Sequence, residues 1–257
     1  MLKWLWVAVL FAQIVIVIVL RRSLSLDNCG YRSNYNGPRV SPSSMIQSTP
    51  FLSTPFGECA LHKVVMPNGE TVDDWLFVDE TGCVNVLVYD ALRGEVVFFR
   101  QSKYLLSGSF SLAPIGGLIE PSVGSGGSRE SALETAKREA DEEMGIQGGD
   151  WYDLGTYWGS VNRGEGIVGC FLVVVNEGVN VADGSTGNGK TNEGAEGAEG
   201  AEGAEGAEGT LPLDLEAQTV VRYSVKDAKS ALLNGELKEI KWVGCSALAI
   251  MKIEDLF

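Results

Sequence analysis

The sequence predicts an α/β fold of the α+β type, an α/β/α sandwich in which a mixed β-sheet lies between helices. Short segments rich in Val, Ile, Phe and Tyr and bounded by turn residues recur from residue 61 to residue 175. Helical patterns interrupt these segments and recur near the C-terminus, as expected for a sheet covered on both faces. With 257 residues, the chain can hold one domain of about 150 to 200 residues with extensions. We place this domain at residues 58–257.

Each element is predicted from a local signal. The dipeptide Asn68-Gly69 lies between two strand-like runs and predicts a tight hairpin turn, because both turn residues need positive φ angles. Helices are predicted over residues 130–144, in VKDAKSALLN before Gly235, and from about Glu239 to Met251. The other strands are predicted in VNVLVYD, EVVFFRQ, SLAPI, YDLGTYWGS, GIVGCFLVVV and AQTVVRYS.

Three segments are predicted to lie outside the packed core. Residues 4–20 are almost entirely apolar and are followed by Arg21-Arg22, so we expect residues 1–22 to form an uncleaved membrane anchor, with a cleaved signal or transit sequence and a buried helix as alternatives. Residues 23–57 are rich in Ser, Pro, Asn and Gly and are predicted to be a flexible linker. Residues 177–209, which end in Ala-Glu-Gly triplets, are predicted to be a disordered insertion.

The positive charges that follow the apolar run predict on which side of the membrane the folded domain lies. They favour a membrane-anchored chain whose folded domain faces the cytosol, with organellar or secretory targeting as alternatives.

The charged and metal-binding residue types exclude several function classes. A net charge of −14 argues against a nucleic-acid partner, because phosphate backbones are bound by clustered Lys and Arg. The five cysteines contain no CxxC pair and suit neither a disulfide framework nor a zinc site. His62 is the only histidine, which argues against zinc and Ser-His-Asp chemistry.

The helix predicted at residues 130–144 carries a cluster of carboxylates. Glu139, Glu142 and Glu143 are spaced i, i+3, i+4 and therefore lie on one face of the helix. Carboxylate oxygens are hard ligands that suit Mg²⁺, with Mn²⁺ as an alternative. On spacing alone, a solvated acidic helix face is the favoured explanation of the pattern.

A longer pattern favours the metal-binding interpretation. The signature G-x5-E-x7-R-E-U-x-E-E-x-G-U, in which U is apolar, would occur by chance about once in 10⁷ starting positions. On this basis the chain resembles the Nudix hydrolases. Segments before and after the motif resemble the ADP-ribose pyrophosphatase-like branch of that superfamily. The matching residues are Gly124, Glu130, Arg138, Glu139, Ala140, Glu142, Glu143, Gly145 and Ile146.

The position of the motif glycine is ambiguous. In the family this glycine belongs to a loop directly after a strand, and SLAPIGGLIEP resembles that strand and loop. We therefore expect Gly117 to be the structural counterpart of the motif glycine and Glu120 to belong to the same loop. Gly124 would then match only because the intervening segment is glycine-rich. The literal spacing through Gly124 is the alternative.

The resemblance implies a Mg²⁺-dependent hydrolase that cleaves the diphosphate of a nucleoside diphosphate linked to another group, such as ADP-ribose or a nucleotide sugar. Glu139 and Glu143 would bind metal, and Glu142 would be a ligand or position water. Arg138 would hold Glu130 or Glu139 in place, with Gly145 ending the helix. Glu216 is a candidate base, and Glu120, Arg100 and Arg163 are candidate substrate contacts.

Two further outcomes stay open at this stage. A Nudix-homology module that binds a nucleotide without cutting it is the alternative function, although such modules usually lack a motif glutamate and none is missing here. A homodimer is compatible with the sequence. The segment TYWGSVNRGEG lacks the proline often found in this branch, so the resemblance does not identify the substrate.

Overall fold

The computed structural model describes most of the chain and divides it into two compact units. The described residues are 32–107, 109–120, 129–176 and 218–257. The first unit comprises the residues up to Thr81 together with Ser160–Gly166, and the second comprises Gly82–Gly159 and Ile167–Phe257.

The first unit is built on three antiparallel strands. They are β1 (Met45–Ser53), β2 (Gly57–Val65) and β3 (Thr71–Glu80). The predicted hairpin turn is present between β2 and β3, where Gly69 has a φ of 86° and its N–H donates to the Met66 carbonyl at 2.8 Å. The prediction of a flexible linker up to residue 57 was wrong for residues 45–53. Their backbone groups hydrogen-bond to β2, although β1 shows no apolar alternation.

A cluster of buried charged and polar side chains ties the preceding segment to this sheet. Glu58 is 3% exposed and Asp79 is 7% exposed, although neither residue is apolar. Arg39 Nε donates to Glu58 Oε1 at 2.8 Å, and the Val40 N–H donates to Asp79 Oδ1 at 2.8 Å. Residues 39 and 40 therefore belong to the folded unit, because their contacts satisfy carboxylates that would otherwise be costly to bury.

Burial gives Asp79 a measurable pH signature. Desolvation raises the pKa of Asp79 above its ordinary value, and the hydrogen bond from Val40 opposes this shift only in part. The folded state then keeps a proton that the unfolded chain loses, so stability falls as pH rises from the ordinary to the raised pKa. Urea unfolding at a series of pH values measures this effect. The free energy of unfolding of Asp79→Asn should decrease less with pH than that of wild type, and at pH values above the raised pKa the variant should be the more stable protein. Parallel curves for the two proteins would contradict the assignment.

The described residues of the second unit form seven strands and three α-helices. The strands are β4 (Cys83–Asp90), β5 (Glu95–Gln101), β6 (Ser111–Ala113), β7 (Ile115–Leu118), β8 (Asp150–Ser160), β9 (Gly164–Val175) and β10 (Gln218–Ser224), of which β8 and β9 extend into the first unit. The helices are α1 (Ala132–Met144), α2 (Val225–Leu233) and α3 (Ile240–Leu256).

Strand β4 determines the mixed character of this sheet. On one side it pairs in parallel with β9 along its whole length. On the other side its first half, Cys83–Val86, pairs with β7, and its second half, Val88–Asp90, pairs with β5, both antiparallel. Strand β5 continues away from β4 and pairs with β6 and β10. The strands β4 and β5 therefore diverge, and β6 and β7 occupy the space between them.

Helices cover this sheet on both faces, which confirms the predicted α+β class. Alternate residues of β4 point to opposite faces. Val86 packs in a core with Ala136 and Ala140 of α1, whereas Leu87 packs in a second core with residues of α2 and α3. The mixed sheet between helices is the arrangement expected from the sequence.

The ends of α1 are fixed by local signals. Ser131 accepts a hydrogen bond from the Glu134 N–H at 3.2 Å, and the Glu134 carboxylate accepts one from the Ser131 N–H at 2.7 Å. This reciprocal capping box starts the helix at Ala132, two residues later than predicted. Gly145 ends it with a φ of 68°, a left-handed conformation that favours glycine.

Although the cysteine spacings did not suit a disulfide framework, the described residues contain a disulfide bond. Cys170 of β9 and Cys245 of α3 form a disulfide with a Cα–Cα distance of 5.2 Å. The two residues are 75 positions apart, so their spacing gives no indication of the pairing. The bond links the sheet covalently to the C-terminal helix.

Reduction of this disulfide should destabilise the protein. Closing a loop of 75 residues restricts the unfolded chain, and we expect the free energy of unfolding to fall by about 2 to 4 kcal/mol when the bond is broken. Urea unfolding of the wild type with and without dithiothreitol measures the effect. The double variant Cys170→Ala/Cys245→Ala should not respond to the reductant, whereas Cys59→Ala, which alters a free cysteine, should respond as wild type does. Equal stability of oxidised and reduced wild type would contradict the prediction.

The prediction of a membrane-anchored protein with a cytosolic domain is corrected. Within the described ranges, no helix combines the length and the apolar character needed to cross a bilayer. The apolar run at residues 4–20 and the predicted insertion at residues 177–209 both lie outside the described residues.

Candidate active site

The motif carboxylates are organised around the guanidinium of Arg138. Its Nη1 donates to Glu139 Oε1 at 2.8 Å and to Glu142 Oε2 at 3.0 Å. Its Nε donates to Glu130 Oε1 at 3.2 Å, and its Nη2 donates to the Leu118 carbonyl at 3.3 Å. One cation thus orients three motif carboxylates and connects α1 to the end of β7.

This network also has an electrostatic effect on the arginine. Partial burial acts to lower the pKa of Arg138, but hydrogen bonding to Glu130 and the negative charge of Glu139 outweigh it and the pKa is raised. Arg138 therefore remains charged throughout the physiological range and holds its partners by charge-assisted hydrogen bonds.

Glu130 is held from two further directions. The hydroxyl of the fully buried Thr135 donates to Glu130 Oε2 at 3.0 Å. The Glu130 N–H donates to the Glu120 carbonyl at 3.0 Å, which brings the residues on either side of segment 121–128 together. Glu130 is therefore a fixed support for Arg138.

Glu139 is the most enclosed carboxylate in the Arg138 network. Its side chain is 13% exposed, compared with 59% for Glu142. Desolvation raises the pKa of Glu139, and the charges of Glu142 and Glu120 add to this effect, while Arg138 opposes it. A second cation near this carboxylate would stabilise its charged form further.

The main chain of Gly117 lies directly against this carboxylate. A Cβ atom added at Gly117 would be 2.0 Å from Glu139 Cδ, whereas one added at Gly116 would be 3.5 Å from its nearest neighbour, Asn85 Oδ1. Gly117 thus packs closely against a motif carboxylate, and its assignment as the loop glycine stays a prediction. The competing residue, Gly124, lies outside the described residues.

A cavity of about 260 Å³ opens where β4 and β5 diverge. Glu143 reaches it from the last turn of α1, and its Oε2 atom is buried. The cavity is lined by Cys83, Val84, Asn85, Phe99, Gln101, Lys103, Pro114, Gly116, Gly117, Leu118, Glu143, Glu239 and Trp242. Apolar and polar groups both contribute substantially to its walls, and convergent polar groups beside apolar surface are typical of a small-molecule site.

The carboxylates suit Mg²⁺ in their chemistry but do not form a closed metal cage. In the part of the chain that the structure describes, no group of three or more His, Cys, Asp or Glu side chains is arranged to hold a metal ion. Mg²⁺ does not require such a cage, because it is commonly held by one or two carboxylates, several waters and substrate phosphates. The enclosed carboxylate of Glu139 and the buried oxygen of Glu143 fit this mode of binding.

The structure does not bring all the predicted substrate contacts to this cavity. Phe99 and Gln101 line it, so strand alternation directs Arg100 to the other face of β5, where its guanidinium lies 4.3 Å from the centre of the Phe110 ring. Arg100 is therefore not among the residues that line this cavity, and its contact with substrate stays a prediction. Arg163 is exposed in a turn of the first unit. Glu216 lies outside the described residues.

Sequence reasoning missed several polar or aromatic residues that line the cavity, among them Asn85, Gln101, Glu239 and Trp242. Asn85 and Gln101 are 3% and 6% exposed, and Glu239 and Trp242 come from the start of α3. A polar residue inside the apolar run VNVLVYD was a usable signal for Asn85. No sequence signal identified Glu239 as a cavity residue, because glutamates are common at positions that precede a helix.

Comparisons with known proteins support the fold. Neither a protein-family model nor a curated protein sequence matches the chain. Among solved structures, the chain is similar to one described as "Crystal structure of ADP compounds hydrolase", with a TM-score of 0.54 and 14% sequence identity. The match covers 86% of this chain and 98% of that chain. This likeness shows the fold alone, and that fold is consistent with the Nudix-like arrangement expected from the motif.

The contact between Gly117 and Glu139 predicts a contrast between neighbouring glycines. Gly117→Ala should force Glu139 away from Arg138 and be less stable than Gly116→Ala by about 1 to 3 kcal/mol. Gly116→Ala is the matched control, because it makes the same chemical change in the same strand with ordinary contacts. Urea unfolding of both variants measures the difference. Equal stabilities would show that Glu139 can move without loss.

Proposed function

We propose that this protein is a Mg²⁺-dependent hydrolase of Nudix type that cleaves the diphosphate of a nucleoside diphosphate linked to another group. The observation that carries the proposal is the arrangement of α1: Arg138 orients Glu139 and Glu142, while Glu143 lies on the same helix and lines a cavity. An acidic helix face that served solubility alone would need neither the cavity nor the close approach of Gly117.

Each carboxylate has a distinct assignment. Glu139 and Glu143 are assigned as metal ligands, since one is enclosed against Gly117 and the other has an oxygen buried at the cavity. Glu142 is far more exposed and is assigned as a ligand or as the residue that positions water. Arg138 and Glu130 are positioning residues that hold these carboxylates in place.

The reaction requires the negative charge of the diphosphate to be accommodated beside these glutamates. Mg²⁺, or Mn²⁺ in its place, would neutralise the diphosphate and activate water for in-line attack on phosphorus. A bond forms between the water oxygen and phosphorus, and the bridging oxygen leaves with the bonding electrons. The products are two phosphate-terminated fragments.

The fold gives independent support at a coarser level. A solved structure described as an ADP compounds hydrolase shares the fold at 14% identity. Its description agrees with the class of substrate that the motif implies, namely compounds that contain a nucleoside diphosphate. ADP-ribose, nucleotide sugars and dinucleotides all belong to this class.

Substitution of Glu143 tests the metal site. Glu143→Gln keeps the shape of the side chain but removes its charge, so we expect kcat for ADP-ribose hydrolysis with Mg²⁺ to fall at least about 10²-fold while Tm changes little. Asp141→Asn is the matched control, because this exposed carboxylate belongs to the same helix but lies outside the Arg138 network. Turnover of Glu143→Gln near the wild-type value would contradict the assignment.

Chelation separates the enzyme from a module that only binds nucleotides. We expect EDTA to abolish release of AMP from ADP-ribose and added Mg²⁺ to restore it. A screen that includes NADH, nucleotide sugars and dinucleoside polyphosphates should accompany this assay. If none is hydrolysed in Mg²⁺ or Mn²⁺ although a nucleotide binds, the non-catalytic alternative is correct.

A further inference from the structure

Glu239 lines the same cavity as Glu143 but is supplied by a different helix. It is the N-cap residue of α3, with extended backbone angles of −107° and 131°, and its side chain makes no capping hydrogen bond. The Glu239 carboxylate therefore does not cap the N-terminus of α3 by a hydrogen bond. Burial raises the pKa of Glu239, and the positive charges of Lys241 and Lys103 oppose the shift. A half-buried carboxylate is thus presented to the cavity.

The cavity walls near this carboxylate are suited to a flat or apolar group. Phe99 and Trp242 supply aromatic surface, and the buried amides of Asn85 and Gln101 add polar atoms. Its volume of about 260 Å³ lies just below the range of about 300 to 1,000 Å³ that is typical for whole drug-sized ligands. The cavity is therefore sized for one half of a substrate of the proposed class.

The chemistry of Glu239 restricts which half of the substrate can occupy the cavity. A carboxylate accepts hydrogen bonds and repels anions unless a cation lies between them, so a group that contacts Glu239 directly must carry donors and no negative charge. Among the parts of a nucleoside diphosphate compound, the ribose supplies neighbouring hydroxyl donors on an uncharged ring. Acidic side chains recognise ribose hydroxyls in this way in dinucleotide-binding proteins of other folds.

We infer that Glu239 is a specificity residue that accepts hydrogen bonds from the hydroxyls of the substrate's nucleoside ribose and excludes substrates phosphorylated on that ribose. The inference rests on the proposed function for the identity of the substrate. It assigns the part of the cavity beside Glu239 to the nucleoside ribose and leaves the diphosphate to the carboxylates of α1. Selectivity then comes from repulsion of the wrong ligand as well as attraction of the right one.

The test compares ADP-ribose with 2′-phospho-ADP-ribose, which differ only at the nucleoside ribose. For wild type we expect kcat/KM to favour ADP-ribose at least about tenfold. Glu239→Gln keeps the shape and removes the charge, and it should reduce this preference at least about fivefold, chiefly through KM, with kcat for ADP-ribose nearly unchanged. Glu236→Gln is the matched control, because this exposed glutamate lines a different cavity, and it should retain the wild-type preference.

Binding measurements keep this test independent of catalysis. Calorimetry with Ca²⁺ in place of Mg²⁺ gives the Kd of both ligands for wild type and for Glu239→Gln. A preference that Glu239→Gln reduces, in a protein that hydrolyses neither compound, supports the inference and overturns the proposed function. Hydrolysis with a preference that Glu239→Gln leaves unchanged overturns the inference alone. Weaker binding of both ligands by the same factor also overturns it, since the carboxylate would then contact another part of the substrate.

Discussion

The hydrogen bonding of β4 is the constraint on which the second unit depends. One side of this strand is fully occupied by β9, and the other side is shared between β7 and β5. Because two partners use one side, β5 diverges from β4, and β7, which lies between them, contributes to the lining of the cavity. The same pairing holds Gly117 of β7 beneath α1. The cavity and the contact between Gly117 and Glu139 therefore both follow from the strand pairing of β4.

The site concentrates negative charge and holds it with one cation. Glu139 and Glu142 share one nitrogen of Arg138, and Glu130 receives hydrogen bonds from two others. Like charges this close repel each other, and enclosing Glu139 adds a desolvation cost. Such an arrangement sacrifices stability for a function that needs anionic oxygens in fixed positions. The same desolvation is the main reason why the pKa of Glu139 is raised.

Features determined by residues close together in the chain could be predicted from the sequence, whereas features that depend on residues far apart could not. The motif helix was predictable because its cap at Ser131, its end at Gly145 and its glutamates are local features. The cavity was not, because Asn85, Gln101 and Glu239 come together only through the sheet. The position of Arg100 on the face of β5 opposite Phe99 and Gln101 was not predictable, because charge alone does not indicate on which face of a strand a side chain lies. Strand β1 was missed because pairing with β2, and not apolar patterning, holds it.

Strand β1 has a further role that follows from its position. Among the described strands it pairs with β2 alone, so it forms a sheet edge, where unpaired backbone groups can recruit another chain. Its register is irregular between Met45 and Gln47 and between Pro50 and Leu52, and Pro50 has no N–H to donate. These irregularities make β1 a poor template for strand addition. A chain that begins at residue 58 would lack β1 and would present the edge of β2 that β1 now covers, where we expect self-association to compete with folding.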